Sequence, residues 1–562
     1  MTNWHITANY SLFPATSVVS LLPLPLLASS ALGRFLTGCP LPMGCTSSKS
    51  VTADNATPSA AGENANPNAA AKNANPNAVL TYVSVDEIFP FLQPRGNLPP
   101  AVRLLDSDWL LARADQLASA SSEAGRMLLA LPRRQDLEQH HPEAFMSVED
   151  VRGLVINDEA HGYKHGGSGA IAVGAISHAW VTASHPDPQG IQLEKVAALL
   201  RAAQRRQLAR QVRGWDRTNP RRDGYQALPK RVALFYDWAS LFQAVKSPDG
   251  KIVVVDKTPE EKQSFDFALG SMQIWYLHQK LFSIMLTSLP ARCTAAPYTS
   301  RGWPTIEKAW IMVAKMNNVG CWPMVYEVDS ESGEACRLPP LHPDRMQEYI
   351  ETKVFSSPKA DKPLVMRLYR ETVTAVLGEA KKLSYGECGW TDAEVVAFAE
   401  VLPLCRRCLK LNLGRNAFSD DGVTALAKSM SAGALPALEV LALNDNSIGI
   451  TGVEALVGAA ALGAFPSLRK LFLHNNRIEA SGCHALAQAL EAGALPKLEV
   501  LQLFGNPAAG LSKPVCRFWQ VGVCTKGEQC PFVHGELPPV PEAWSELHRV
   551  CTQRGISETG DG

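Results

Sequence analysis

The stretches LEVLALNDN (438–446), LRKLFLHNN (468–476) and LEVLQLFGN (498–506) decide how the C-terminal part of this 562-residue chain folds, because each repeats the one before it at a thirty-residue shift. Leu438, Leu441, Leu443 and Asn446 fill the same slots as Leu468, Leu471, Leu473 and Asn476, and as Leu498, Leu501, Leu503 and Asn506. One copy earlier the slots hold Cys408, Leu411, Leu413 and Asn416, and a degenerate first copy uses Leu383, Tyr385 and Cys388. A unit of this length cannot bury its own apolar side, so neighbouring units must stack until their inward leucines form one continuous core. Each Asn can then hydrogen-bond backbone groups left open at the bend. Between the expected strands lie Gly422, Gly452 and Gly482 and Ala-rich segments such as GVTALAKSM and GCHALAQAL, which read as helices.

The template L-x-x-L-x-L-x-x-N resembles the leucine-rich repeats of the ribonuclease-inhibitor type. The resemblance implies one strand and one helix per repeat, a short curved solenoid over residues 380–507, and a protein partner on its concave face. The outward strand positions Lys410, Asn412, Ala442, Asn444, Phe472, His474, Gln502 and Phe504 would line that face. Cys405 and Cys408 have the spacing of a redox or metal pair, but Cys408 falls in a leucine slot, which favours a buried core thiol.

Beyond Asn506 the chain reaches CRFWQVGVCTKGEQCPFVH, from Cys516 to His534. Cys516, Cys524, Cys530 and His534 are separated by seven, five and three residues, and three thiolates with one imidazole form a closed tetrahedral set that structural zinc accepts. So short a segment cannot bury a core that offsets its ordering entropy, so the metal has to supply the folding free energy. Gly522 and Gly527 permit tight turns between the ligands, and Pro531 stiffens the last loop.

This pattern resembles the CCCH zinc-finger family, in the variant with seven residues in the first gap, and places Phe518 and Phe532 two positions after the first and third cysteines. The resemblance implies single-stranded RNA with bases stacked on those rings, and Trp519, Arg517 and Lys526 are further candidates for RNA contact. Two readings stay open. Lys513, Arg517 and Lys526 are a small surplus over Glu528 and no second finger extends the footprint, so residues 511–537 could equally be a structural or protein-binding zinc node. A solenoid needs a C-terminal cap, so the finger is expected to pack against that end or act as its cap, with Trp544 of the 538–562 tail returning to it.

Lys and Arg number 54 and Asp and Glu 54, so any nucleic-acid contact must be local rather than a property of the whole surface. The chain is 46% hydrophobic and 19% charged, as expected of several globular domains. Thirteen scattered cysteines, three of them assigned to zinc, argue against a disulfide framework and for a reducing, cytoplasmic or nuclear setting. No apolar run is long enough to span a bilayer, which takes about 18 residues or more.

Residues 1–80 read as a disordered leader followed by an Asn/Ala/Pro-rich spacer in which NANPNA occurs at 64–69 and again at 73–78. The apolar segment SVVSLLPLPLLASSALG is a poor signal peptide, having no preceding Lys or Arg and being interrupted by Pro23 and Pro25. Met43-Gly44-Cys45 fits N-myristoylation of Gly44 beside a palmitoylated Cys45, which would give membrane attachment if translation starts at Met43. The alternative is a chance occurrence inside the leader.

Residues 81–330 alternate helices and strands. Helices are expected at Ser107–Ala118 and Ser122–Leu131, and strands at 170–177, 231–238 and 282–287. An Arg-rich helix over 192–213 carries Arg201, Arg205, Arg206, Arg210 and Arg213 on what reads as a solvated face. Another helix has Thr258 as N-cap, Pro259 at N1 and Glu261 at N3 and runs to about Lys280, and Pro304 is placed to start one more. This alternation predicts a parallel α/β sheet with polar groups at its strand ends, joined by a helical connector over 331–379 to the repeats. Gly166-Gly167-Ser168-Gly169 precedes a strand, the wrong order for a phosphate cradle.

The motifs Ile176-Ser177-His178-Ala179-Trp180, Tyr236-Asp237-Trp238-Ala239-Ser240 and Arg301-Gly302-Trp303-Pro304-Thr305-Ile306-Glu307 resemble the ordered motifs of heterokaryon-incompatibility domains, relatives of TIR domains. That resemblance implies signalling or self-association and, as in some TIR relatives, NAD cleavage by a glutamate, with Glu307 as candidate and Asp237 and Arg301 as partners. The alternative is that these three cap helices and form a buried ion-pair network. The expected fold class is therefore multidomain α/β: a parallel-sheet domain, a short leucine-rich-repeat solenoid, a small CCCH finger and a disordered N-terminal region. The expected function is a zinc-binding adaptor with a protein-interaction surface and a finger for single-stranded RNA; the alternative is a NAD-hydrolysing or related nucleotide-processing signalling enzyme acting through 170–320.

Overall fold

The computed structural model describes residues 81–155, 170–205, 228–246, 252–254, 257–291, 293–315, 324–328, 337–507 and 542–558. The first half of this span is built on strands β1 (Leu105–Asp106), β2 (Val173–His178), β3 (Ala233–Tyr236), β4 (Val245–Lys246), β5 (Ile252–Val254), β6 (Phe282–Leu286) and β7 (Val325–Glu327). Five of them form one sheet in the order β1-β3-β2-β6-β7, in which β3, β2, β6 and β7 run parallel and β1 is an antiparallel edge; β4 and β5 pair separately. Every residue of β2, β3 and β6 is buried, as apolar runs covered on both faces must be. The central contact is close: a Cβ at Gly174 of β2 would meet the Phe282 ring of β6 at 2.2 Å, so only glycine fits there.

The parallel order is the expected one, and the antiparallel β1 is the departure. It is two residues long and carries no alternation to read, but the pairing of Leu105 with Leu234 fixes it in the sheet. Helix Ser107–Ala118 lies where the sequence places it, capped by Asp106. The helix opened by Thr258 carries the expected reciprocal cap with Glu261, yet it stops at Leu269 and a separate short helix spans Gln273–Leu277. Of the Arg-rich helix, Ile191–Gln204 is described; Arg206, Arg210 and Arg213 lie outside the described residues, as does the glycine-rich loop.

The second half is the solenoid. Strands β8 (Lys382–Ser384), β9 (Lys410–Asn412), β10 (Val440–Ala442), β11 (Lys470–Phe472) and β12 (Val500–Gln502) form a wholly parallel sheet in sequence order, with Leu411, Leu441, Leu471 and Leu501 directly opposite one another. Helices Asp420–Ser431, Ile450–Ala461 and Ala480–Glu491 follow β9, β10 and β11. The template leucines are buried, and so are Leu383, Tyr385 and Cys388 of the degenerate copy.

Asparagines join successive turns. The Asn476 amide nitrogen donates to the Leu443 carbonyl (3.0 Å) of the preceding turn and the Leu473 carbonyl (2.9 Å) of its own, while its oxygen accepts from the Ile448 backbone N–H (3.1 Å). Asn506 repeats this with Leu473, Leu503 and the N–H groups of Asn476 and Ile478. The residue before each ladder Asn is left-handed: Arg415, Asp445 and Asn475 sit at φ 55–59°, and Gly505 takes the slot in the last copy at φ 74°. There a Cβ would come within 1.9 Å of the Asn475 side-chain oxygen, so glycine is required.

Both ends of the solenoid are covered. At the start, the Tyr385 hydroxyl donates to the Val313 carbonyl (2.8 Å) and the Trp390 indole to the Arg337 carbonyl (2.7 Å), while helix Pro358–Glu379 packs on helix Gly302–Ala314 through Trp310 and Thr372 (3.2 Å). One apolar core therefore runs through both halves. At the far end, helix Glu542–Gln553 packs on helix Ala480–Glu491, with Arg554 donating to the Leu490, Ala494 and Leu495 carbonyls and Ser557 pairing with β12. The tail is thus the cap, with Trp544 half-buried against the core. Trp544 thus returns to the solenoid end as expected, while the expectation that the finger packs against that end or acts as its cap falls on residues outside the described ones.

Candidate functional site

Where the parallel strands end, the fold gathers polar side chains that a parallel sheet places at its carboxyl edge. Ser177 and His178 close β2, Asp237 follows β3, and Glu307 projects from helix Gly302–Ala314. His178 is buried, and its Nε2 lies 2.8 Å from the Asp237 carboxylate and its Nδ1 2.9 Å from the Gln192 side-chain oxygen. The Gln192 amide is oriented by donating to the Ala179 carbonyl (2.8 Å), so the oxygen must face the ring. Both ring nitrogens thus meet acceptors and both must carry protons, which makes the ring an imidazolium paired with Asp237. Burial works to lower the His178 pKa, but the Asp237 charge and hydrogen bond outweigh it and the net shift is upward. Burial likewise opposes the Asp237 charge, yet His178, the Trp180 indole (3.2 Å) and the Trp238 backbone N–H (2.6 Å) hold its pKa below the ordinary value.

Glu307 behaves in the opposite way. Burial pushes its pKa up to about 8, against the pull of the Ser177 hydroxyl, which donates to it at 2.6 Å. With Ser177 donating there, the Tyr298 hydroxyl (2.7 Å) must donate to Ser177, giving a chain of three buried groups that ends on a largely protonated carboxyl. Tyr276 approaches from the other side, donating to the Ile176 carbonyl at 3.3 Å.

Of the three sequence candidates, the structure brings Asp237 and Glu307 to one cluster and leaves Arg301 out. Arg301 donates to the Ala296 carbonyl (2.9 Å), and burial lowers its pKa. The expected Asp237–Arg301–Glu307 network is corrected accordingly: the cation is His178. Gln192, Tyr276 and Tyr298 are partners that sequence reasoning missed, because none stands in a motif and each is brought in by tertiary packing. Ser177 and His178 were within the quoted motif at the end of an apolar run, and that position was the available signal. A pocket among the described residues lies elsewhere, lined by Leu92, Pro100, Val102, Met146 and Val148.

Cys405 and Cys408 are both buried free thiols, as the leucine slot of Cys408 favours. Burial raises both thiols, Cys408 to about 11, and their sulfurs lie against the Val401 and Lys410 carbonyls. Among the described residues no group of three or more His, Cys, Asp or Glu side chains could hold a metal ion, and no helix is long and apolar enough to cross a membrane. The finger candidates Cys516, Cys524, Cys530 and His534, with Phe518, Phe532, Trp519, Arg517 and Lys526, lie outside the described residues, as do Gly44 and Cys45.

What the described residues do fix is where the finger segment is attached. In the preceding repeats a helix begins four residues after the ladder Asn, at Asp420, Ile450 and Ala480; after Asn506 the next described helix begins at Glu542. Residues 508–541 therefore sit between the last repeat strand and the helix that closes the solenoid. Residues 516–535 match the RNA-binding, Nab2-type zinc finger family, and residues 407–427 match the leucine-rich repeat family. The chain carries leucine-rich repeats and a CCCH zinc finger. That finger type implies zinc binding, and a donor set of three thiolates and one imidazole, all within the matched residues, suits a closed tetrahedral site. No curated protein matches the chain.

Proposed function

We propose that the protein is a zinc-binding adaptor that joins single-stranded RNA at its finger to a protein partner on its solenoid. Cys516, Cys524, Cys530 and His534 are the proposed ligands, and zinc when bound supplies the folding free energy of the segment. Phe518 and Phe532 are the proposed stacking rings, with Arg517 and Lys526 beside the backbone phosphates and Trp519 as a further ring. The observation that carries the reading is the match of 516–535 to an RNA-binding finger, in a segment fixed at both ends to the solenoid. A protein held by the solenoid would therefore be brought beside RNA held by the finger.

Crosslinking of the full-length protein to single-stranded RNA tests this. Labelling should fall in Phe518→Ala/Phe532→Ala and in Cys524→Ser; equal labelling of all three proteins would leave the finger a structural role only. For the α/β half, a buried cluster in which His178 is committed on both nitrogens supports a scaffold rather than a catalytic centre. Turnover of NAD by purified protein, abolished in Glu307→Gln, would overturn that part and favour a nucleotide-processing enzyme.

A further inference from the structure

The outward face of the solenoid sheet has a composition unlike the rest of the chain. The strand register and the backbone ladder that continues past it, from Gly414 through Asn444 and His474 to Phe504, define three rows of outward positions across five strands. The row nearest the strand starts holds Lys382, Lys410 and Lys470, and the three rows contain no Asp or Glu, in a chain whose charges balance at 54 and 54. Apart from an aromatic corner, the remaining positions are Ser, Asn, Gln, Gly, Ala or Val. Acids stand on its rims: Glu387 pairs with Arg415 (3.0 Å), Glu499 with Arg469 (2.6 Å), Glu439 lies in the same rim row as Glu499, and Asp445 accepts from Asn475 (2.8 Å) and Asn444 (2.6 Å) and lies 3.9 Å from His474 Nε2.

The aromatic corner belongs to the last two strands. The His474 and Phe504 rings stack at 4.3 Å and 15°, and Phe472 meets His474 edge-on at 6.3 Å. Burial lowers the His474 pKa, so the ring is neutral, and its Nδ1 meets no partner. Cations along one row, amides between, and stacked flat rings at one end are the features that hold a single strand of nucleic acid, with phosphates on the cations and bases on the rings. An acidic peptide would use the cations but has no need of the ring stack. The corner also adjoins the finger segment. Phe504 is three residues before Pro507, and Cys516 follows nine residues later, a span of at most about 30 Å. One RNA strand held by the finger is therefore presented to this face at the high effective concentration of a short tether.

We infer that the sheet face of the solenoid binds single-stranded RNA, continuing the path of a strand whose other part lies on the finger. The inference rests on the reading of the finger as RNA-binding, and it assigns to RNA the face that leucine-rich repeats commonly give to proteins. It is tested by measuring affinity of the full-length protein for oligo(U) of about 4 and about 16 nucleotides, the range of single-strand footprints. Phe472→Ala/Phe504→Ala should weaken the longer RNA by about 10-fold or more and leave the shorter one unchanged. Because these rings are half-buried, a second variant, Lys382→Gln/Lys410→Gln/Lys470→Gln, guards against misfolding. It should lower the slope of log affinity against log salt by about 2 for the longer RNA. Unchanged affinity and salt slope for the longer RNA in both variants would overturn the inference. If the shorter RNA fails to bind wild type while the longer one binds and responds to both variants, the finger reading falls and the face stands.

Discussion

Asn476 in the solenoid and His178 in the α/β half are both buried polar side chains that satisfy their neighbours, but one is a member of a series and the other is unique. Asn476 does what Asn446 and Asn506 do one turn before and after it, bonding to backbone groups thirty or so residues away in sequence. His178 is held by Asp237 and Gln192 from two other elements, and nothing in the chain repeats the arrangement. The difference teaches that a periodic network spreads its load over backbone hydrogen bonds and is insensitive to pH. An aperiodic one concentrates charge and proton equilibria in a few side chains.

The sharpest way to break the comparison is to delete one rung. Asn476→Ala would leave the buried Ile448 N–H without its acceptor and take one of two side-chain donors from each of the Leu443 and Leu473 carbonyls, and should cost about 3–5 kcal/mol in urea unfolding. A cost near zero would mean that the turns stack through their leucines alone. Asp237→Asn is next. It strips the buried imidazolium of its counter-charge and should cost about 3 kcal/mol near pH 6. The His178 pKa, now governed by burial, should move from above 6.5 to below it in an NMR titration. An unmoved His178 would contradict the ion pair.

Glu307→Gln has a smaller, pH-dependent effect. The carboxyl has a pKa near 4.5 when free and about 8 when folded, so its stabilising contribution is complete below pH 4.5 and is lost as pH rises toward 8. The variant, which cannot ionise, should therefore gain on wild type by about 1.4 kcal/mol per pH unit between pH 5 and 7. His278, lowered to about 4, and Lys315, lowered to about 7, titrate in both proteins and cancel in the difference. A flat difference would show that Glu307 is solvated or otherwise compensated. The smallest effect belongs to neither network: Arg345→Ala removes an exposed, solvent-screened pair with Glu400 and should leave the urea unfolding midpoint unchanged.

This contrast also explains what could be read in advance. The strands, inward leucines and ladder asparagines of the solenoid were legible because period and slot give each residue its environment. The strand pieces of the α/β sheet were legible as apolar runs, and Thr258 with Glu261 as a helix start. The choice of His178 rather than Arg301 as the partner of Asp237 was not, because it depends on how far each backbone segment is carried after its motif. Gln192 and Tyr298 reach the cluster from positions with no local pattern. The same holds for β1, whose two residues pair through a contact distant in sequence, and for the tail helix, whose role as cap follows from packing on Ala480–Glu491. Finger ligands are a case apart: their spacing is the signal, and it is read in the sequence alone.

The most direct test of the adaptor account is the affinity of full-length protein for the short RNA, measured with zinc bound, after chelation and after zinc is restored. The account predicts stoichiometric zinc, loss of binding on chelation and recovery on readdition, with Cys524→Ser unable to recover. Binding of equal strength in zinc-free and zinc-loaded protein would contradict it.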